Sequence, residues 1–180
     1  MSTLYVDTIN EKTSGNGIII PGHVLQVVNN EYTARTSTNS QSWSEISGLT
    51  TPITLLNSSS KVLIQASVTY SVYGHGGLRI YRSVGGTDTV LTIGDTSGSR
   101  SREAVHAYKT TTYSSTYDAD SASITILDTP STSGTISYKV YAAVPHSSGY
   151  SVVINGQYSD ADANYTGATI STMTLMEIGT

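Results

Sequence analysis

The fold of this chain is decided by the stretch KVLIQASVTYSVY, residues 61–73. Apolar side chains occupy every second position from Val62 to Val72, and Gln, Ser and Thr fill several of the positions between them. Strict alternation over this length is typical of a β-strand, because successive strand residues point to opposite faces of a sheet. The stretch therefore predicts a long strand with one face in a hydrophobic core and the other towards polar surroundings.

Outside this stretch, shorter runs of the same kind are separated by clusters of Gly, Ser, Asn, Asp and Pro, which favour turns and loops. The segment Gly74-His75-Gly76-Gly77 is predicted to be a turn, and residues 42–49 to form one helical turn at most. Most connections are too long for two-residue hairpins, so the pattern predicts an all-β sandwich of about ten strands with Greek-key or jelly-roll connections rather than an up-and-down barrel. The predicted strands are His23–Val28, Ile53–Leu56, Lys61–Tyr73, Leu78–Val84, Val90–Ile93, Arg102–Tyr108, Ser123–Leu127, Thr135–Val144, Tyr150–Ile154 and Thr169–Ile178.

Composition agrees with an all-β fold and argues against several functions. The 180-residue chain has 13 Tyr, one Trp and no Phe, and only 12% of its residues are charged. Its net charge is −4 and it has no basic run, so nucleic-acid binding is not expected. Lys61, Arg79, Arg82 and Arg100 are scattered, as ordinary solvated surface charges are. Cysteine is absent, so neither disulfides nor thiolate chemistry is expected.

Residues 1–21 differ from the rest and are predicted to be an N-terminal arm, with residues 22–180 as a globular knob. The start of the chain has neither the basic residues nor the apolar run of a signal peptide, and no window holds 18 apolar residues. We therefore expect a protein that is made in a cytoplasm and does not insert into membranes. A segment this short cannot bury its own apolar side chains, so it is expected to pack on copies of itself or on another protein. A strand folded back onto the domain is the alternative. The apolar arm residues are Leu4, Tyr5, Val6, Ile9, Ile18, Ile19 and Ile20.

Six landmarks follow one another along the chain: 24–28 (VLQVV), 47–54 (SGLTTPIT), 58–64 (SSSKVLI), 136–140 (ISYKV), 153–156 (VING) and 173–178 (MTLMEI). In this order, and behind an arm of the form VDTI…SG…I, they resemble a group of phage structural proteins common in marine and cyanobacterial phages. In that group the arm precedes a jelly-roll domain similar to trimeric tumour-necrosis-factor-like and complement globular-head domains. The resemblance covers nearly the whole chain.

The resemblance implies a homotrimer whose arm fixes the knob to other proteins of a virion. Independently, the last predicted strand offers Met173, Leu175 and Ile178 to a core or to a subunit interface. Glu177 interrupts that run; a glutamate lies near the end of this strand in the family, but the sequence assigns it no role. Tyr138 is expected in the core, beside a solvated Lys139.

No constellation of catalytic residues is evident. None of the four His residues has a metal-binding spacing, and there is no G-x-S-x-G motif. Gly94–Gly98 superficially resembles an aspartic-protease signature, but no second copy exists and a turn is expected there. We therefore expect a protein that is not an enzyme and carries no cofactor or metal.

Two short acidic pairs leave one question open. Asp118 with Asp120, and Asp160 with Asp162, could offer oxygen ligands to Ca²⁺, although neither pair lies in an EF-hand pattern. A solvated turn with side-chain hydrogen bonds to its own backbone is the alternative.

Surface recognition remains, because loops carry binding on β scaffolds and Tyr supplies rigid, amphipathic contacts that include stacking on sugar rings. His106 is expected to be a lateral surface or interface residue, and tyrosines that are merely solvated or buried between subunits are the alternative to recognition. The candidate recognition residues, all at predicted strand ends or loops, are Tyr73, His75, Tyr113, Tyr117, His146 and Tyr150.

Together these features predict a virion protein: a trimeric, tail-fibre-type knob that contacts a glycan or protein on the host surface. Two alternatives remain open. One is a head, neck or decoration fibre without a receptor role, and the other is a cellular carbohydrate-binding module.

Overall fold

The computed structural model describes residues 6, 8, 10, 21–109 and 117–180. Of the apolar residues named in the predicted arm, only Val6 lies in this part, with 53% of its surface exposed. Six arm residues and one recognition candidate lie outside it: Leu4, Tyr5, Ile9, Ile18, Ile19, Ile20 and Tyr113. The ten strands are β1 Val24–Tyr32, β2 Thr36–Thr38, β3 Ser44–Thr54, β4 Lys61–Val84, β5 Thr87–Thr92, β6 Val105–Lys109, β7 Asp120–Asp128, β8 Thr135–Ala143, β9 Ser151–Ile154 and β10 Ser171–Ile178.

The predicted jelly-roll-like, all-β fold is confirmed, and β4 organises it. The first half of β4 pairs with β10 and then β9 along one edge, and with β7 along the other. The second half pairs with β8 along one edge, and with β6 and then β5 along the other. β1 and β2 extend the first layer beyond β10 and β9, and β3 extends the second beyond β8. All pairings are antiparallel, and the sheet folds into a nearly closed, barrel-like sandwich.

The predicted turn at Gly74-His75-Gly76-Gly77 is wrong, because β4 runs through it as one strand of 24 residues. The glycines do not reverse the chain; they allow neighbouring side chains to lie close to the backbone of β4. A Cβ on Gly76 would lie 2.4 Å from Val152 Cγ2, and one on Gly74 would lie 2.2 Å from the Tyr150 ring. Gly74 also has a φ of 78°, which disfavours residues with a side chain. Glycine thus lets β4 pass from one layer to the other without losing its alternation.

The core lies between the two layers and is filled by the inward-facing residues of both. The alternate residues of β4 from Val62 to Ile80 are buried, as their spacing predicts. Met173 and Leu175 join this core rather than a subunit interface, whereas Ile178 lies on the other face of β10 and is half-buried. The largest fully buried side chains are Tyr138, Leu49, Ile53, Ile64, Leu78, Ile80, Ile136, Ile154, Met173, Leu175, Glu177 and Val62.

The polar segment before residue 54 contains more strand than its composition predicts. β1 continues to Tyr32, β2 was not predicted, and β3 begins at Ser44 instead of near Ile53. The possible helical turn at 42–49 is therefore wrong. Ile46 and Leu49 are both buried, and the pairing of β3 with β8 shifts register between Glu45 and Thr50. This irregularity breaks the two-residue period that strand prediction depends on.

Glu177, to which the sequence assigned no role, ties the end of β10 to the connection between β3 and β4. Its side chain is fully buried. Its carboxylate accepts hydrogen bonds from Gln26 Nε2 at 2.5 Å, from the Leu56 amide at 3.0 Å and from the Asn57 amide at 3.2 Å. Burial alone would raise the pKa of Glu177, but these donors outweigh it and hold the pKa below its usual value. Glu177 is therefore a structural anion.

Arg82 and Lys139, both predicted to be solvated surface charges, pair with carboxylates. The partner of Arg82 is Asp128, which also binds Tyr138: Tyr138 is fully buried, as predicted, and its hydroxyl donates to Asp128 Oδ2 at 2.9 Å. Burial, followed by the charge of Asp128, raises the pKa of Tyr138. Arg82 Nη1 lies 2.9 Å from both oxygens of the same carboxylate. Lys139 is also not simply solvated, because only 16% of its side chain is exposed and its Nζ pairs with two carboxylates.

No helix in the described part of the chain has the length and hydrophobicity that crossing a membrane requires.

Candidate functional site

Four of the six predicted recognition residues lie together on one outer surface. Tyr73 and His75 are on β4 at its passage between the layers, and His146 and Tyr150 are in the loop that joins β8 to β9. β6 lies beside β4 there, pairing His75 with Tyr108 and Gly77 with His106. Three segments that are distant in sequence therefore build what we call the His–Tyr cluster. Its members are Tyr73, His75, His106, Tyr108, His146 and Tyr150.

The rings of the His–Tyr cluster are arranged around His75. Its centroid lies 4.5 Å from Tyr108, 5.2 Å from His146 and 5.8 Å from His106. Tyr150 lies 5.7 Å from His75 and 5.9 Å from His146. These separations fall in the range of favourable ring contacts. Because Tyr108 keeps 58% of its surface exposed, the cluster presents aromatic area to solvent.

A buried carboxylate orients one of the imidazoles. Glu103 Oε2 lies 2.8 Å from His106 Nδ1, and only 2% of the Glu103 side chain is exposed. An ionised carboxylate can only accept, so the bond requires the proton on Nδ1 of His106 and leaves Nε2 as the other ring atom for an outside partner. Glu103 Oε1 has no hydrogen-bond partner among the described residues. Gly77 makes room for this carboxylate, since a Cβ there would lie 2.1 Å from Oε2.

The environment of His75 favours its neutral form. Burial of the ring lowers the pKa of His75, and the neighbouring His146 and His106 lower it further, while Glu103 opposes them. Near pH 7 the ring is therefore an uncharged imidazole with one donor and one acceptor nitrogen.

A cleft of about 310 Å³ opens beside these rings. Two serines from the loop between β5 and β6 line it together with the imidazoles. Its walls therefore offer hydroxyl, imidazole and carboxylate groups next to exposed aromatic faces. The lining residues are His75, Ser99, Ser101, Glu103, His106, Pro145 and His146.

The Glu103–His106 pair is also the base-and-orienter half of a hydrolytic triad. The missing part is the nucleophile: in the described part of the chain, neither Ser99 nor Ser101 is hydrogen-bonded to His106. The arrangement places an oriented imidazole at the wall of the cleft.

The remaining predicted residues lie elsewhere. Tyr117 is in edge-to-face contact with Tyr165 at 5.3 Å, away from the His–Tyr cluster. Tyr113 lies outside the described residues. Sequence reasoning also missed Tyr108 and Glu103 as members of the site. One signal was available in the sequence: His106 and Tyr108 are two residues apart in a predicted strand, so their side chains must point to the same face of the sheet.

The outer surface of the second layer continues as a polar aromatic band. Tyr81 and Tyr141 lie 4.2 Å apart, and the Tyr141 hydroxyl donates to Asp88. The Arg79 guanidinium lies 3.9 Å above the Trp43 ring, so Arg79 is not merely a solvated charge. The groups of this band are paired with one another.

The acidic pairs meet basic side chains rather than a convergent metal site. Lys109 Nζ lies 3.0 Å from Asp120 and 4.0 Å from Asp118, and Asp120 starts β7 instead of lying in a loop. Arg35 pairs with Asp160 at 3.5 Å. Among the described residues, no three His, Asp or Glu side chains are placed to hold one metal ion.

A larger cleft of about 620 Å³ lies beside the loop between β9 and β10. Arg35 spans it, donating to the carbonyl oxygens of Gln157 at 3.0 Å and Tyr158 at 3.4 Å. Thr166 likewise donates to the carbonyl oxygens of Ala161 and Ala163. Because these polar groups hold the loop together, the smaller cleft beside the His–Tyr cluster is the better candidate site.

Comparison of the chain with known protein families and with curated proteins finds no match in either.

Proposed function

We propose that this chain is a non-enzymatic virion protein of a phage, a tail-fibre-type knob that touches the host surface through the His–Tyr cluster. The observation that carries the proposal is the convergence of Tyr73, His75, His146 and Tyr150 on one exposed surface. The sequence predicts all four as recognition residues from their types and their positions at strand ends or in loops. A set of unrelated solvated tyrosines would have no reason to converge.

The composition of the cluster supports recognition rather than folding alone. Tyr108 in the cluster and Tyr158 beside it leave 58% and 39% of their surfaces exposed, and neither belongs to the hydrophobic core. Tyr158 also stacks on Tyr73 at 4.3 Å, which holds the exposed ring in a fixed orientation. Rigid aromatic side chains lose little conformational entropy on contact, so they are efficient binding groups.

The assembly is part of the same proposal. We infer a homotrimer of knobs, with residues 1–21 attaching it to other virion proteins, on the resemblance of the ordered landmarks to phage fibre proteins. The exposed apolar side chains of Val27 and Leu127 support an assembly, because they lie on strands of the first layer rather than in loops. Light scattering on the purified chain should give three times the chain mass, and a monomer would contradict this part.

Locating the protein on the phage particle tests the proposal as a whole. Cryo-electron microscopy of virions, with and without the gene, should show the knob at the tip of a tail-associated fibre. Density on the head or neck would favour a decoration fibre without a receptor role. A particle that lacks the protein altogether would overturn the virion assignment and favour a cellular carbohydrate-binding module.

A further inference from the structure

We propose that the 310 Å³ cleft beside the His–Tyr cluster binds one ring of a neutral, hydroxyl-rich sugar. The inference rests on the proposed recognition role and names the chemistry of the ligand. It is argued from the charge, the hydrogen-bonding groups and the size of the cleft.

Charge excludes the acidic ligands. None of the described residues that line the cleft is Lys or Arg, and its one carboxylate belongs to Glu103. A phosphate, a sulfate or a uronic acid would bring a second negative charge next to that carboxylate without a fixed cation to balance it. The imidazole of His75 does not supply this cation near pH 7, because its surroundings favour the neutral form.

The hydrogen-bonding groups favour hydroxyls. Neutral imidazoles and serine hydroxyls each donate and accept, and a sugar hydroxyl does the same. His106 is held with Nδ1 towards Glu103, so Nε2 is the ring atom left to hydrogen-bond a ligand hydroxyl. Ser99 and Ser101, which are exposed and line the same cleft, add hydroxyls that donate and accept.

The exposed ring of Tyr108 supplies the apolar half of the interaction. The C–H face of a pyranose packs on an aromatic ring while its hydroxyls turn towards polar groups. Tyr108 is not among the residues that line the cleft, but its ring lies 4.5 Å from that of His75, which is; the proposal therefore places Tyr108 beside the bound sugar, at the edge of the cleft. The volume is at the small end of the roughly 300–1,000 Å³ that ligand sites occupy, which suits one ring.

Saturation-transfer NMR on the full chain tests the inference directly. The probes are the methyl glycosides of glucose, galactose, mannose and N-acetylglucosamine, with glucuronic acid and N-acetylneuraminic acid as acidic counterparts. At least one neutral glycoside should bind at pH 7.5, and neither acid should bind more tightly. Tyr108→Ala and His106→Ala should each weaken binding about fivefold or more. Tyr165→Ala is the matched control, because Tyr165 is 61% exposed and lies outside the cluster; it should leave binding unchanged.

The same variants, assayed for binding to host cells, separate the inference from the proposed function. If the chain binds cells through Tyr108 but binds no neutral glycoside, or prefers an acid, the sugar inference is overturned and the recognition role stands. If a glycoside binds the cleft but the chain binds no cells, the sugar site stands and the recognition role is overturned. Equal loss in the Tyr165→Ala control would place the site elsewhere and overturn both.

Discussion

Two buried glutamates, Glu177 on β10 and Glu103 just before β6, differ in how completely their carboxylates are hydrogen-bonded. Glu177 is fully buried, and its carboxylate accepts from one side chain and two backbone amides. The Glu103 side chain is only 2% exposed, but one of its oxygens accepts from His106 and the other has no partner among the described residues. The bonded carboxylate of Glu177 fixes the path of the chain, whereas the carboxylate of Glu103 orients one imidazole and keeps a second, buried oxygen without a partner among the described residues.

The largest effect is expected at the fully bonded carboxylate. Glu177→Gln removes the buried charge and replaces one acceptor oxygen by an NH₂ group. If the remaining oxygen keeps the Leu56 and Asn57 amides, the new NH₂ faces the donor Nε2 of Gln26. We expect a loss of about 2 kcal/mol in the free energy of unfolding, measured by chemical denaturation. A loss below a few tenths of a kcal/mol would mean that the network around Leu56 and Asn57 does not hold this region.

Acid should weaken the same network. The folded-state pKa of Glu177 is below its unfolded value near 4.5. Glu177 therefore stabilises the fold fully above pH 4.5, and this contribution is lost as the pH falls through the folded pKa. Between pH 5 and pH 3, the free energy of unfolding should decrease more steeply for the native chain than for Glu177→Gln. Parallel curves would contradict the assignment.

A much smaller effect on stability is expected at the partly bonded carboxylate. Glu103→Gln removes one charge-assisted bond to His106, whose side chain is 56% exposed. The expected cost is at most about 1 kcal/mol, because the imidazole can bond to water instead. Nitrogen NMR of His106 should nevertheless show that Nδ1 no longer holds the proton as strongly. An unfolding penalty equal to that of Glu177→Gln would erase the distinction between the two sites.

The smallest effect is a pH dependence in the His–Tyr cluster. The pKa of His75 is lowered from 6.5, so the unfolded chain takes up the proton first as the pH falls. The contribution of neutral His75 to the free energy of unfolding is fully present above pH 6.5, and it is lost as the pH falls through the pKa of His75 in the folded chain. Thermal melts between pH 7.5 and pH 5 should show this loss, and His75→Asn should reduce it. This window lies above the titration of Glu177.

The sequence was sufficient for the fold class because alternation in β4, β8 and β10 reports directly on burial. It failed at Gly74–Gly77, where glycine favours a turn locally but serves close packing against Val152 and Tyr150. Those partners are distant in sequence, so no local pattern reveals them. The prediction for residues 42–49 was wrong for a related reason. The register shift between Glu45 and Thr50 interrupts the two-residue alternation by which β3 would be identified.

The candidate site was predictable in part. Tyr73, His75, His146 and Tyr150 could be selected as exposed binding groups from their residue types and positions. Their convergence could not be predicted, because it depends on β4 continuing through the glycines to pair with β6. Glu103 was invisible as a site residue for the same reason: its burial is created by Gly77 on another strand.

The most direct test of the central claim is whether the purified chain blocks phage adsorption through the His–Tyr cluster. Host cells are preincubated with native protein, with Tyr108→Ala or with Tyr165→Ala, each checked for an unchanged melting temperature. Native protein and Tyr165→Ala should inhibit adsorption equally, and Tyr108→Ala should require at least about a fivefold higher concentration. Equal inhibition by all three proteins, or none by the native chain, would contradict the account.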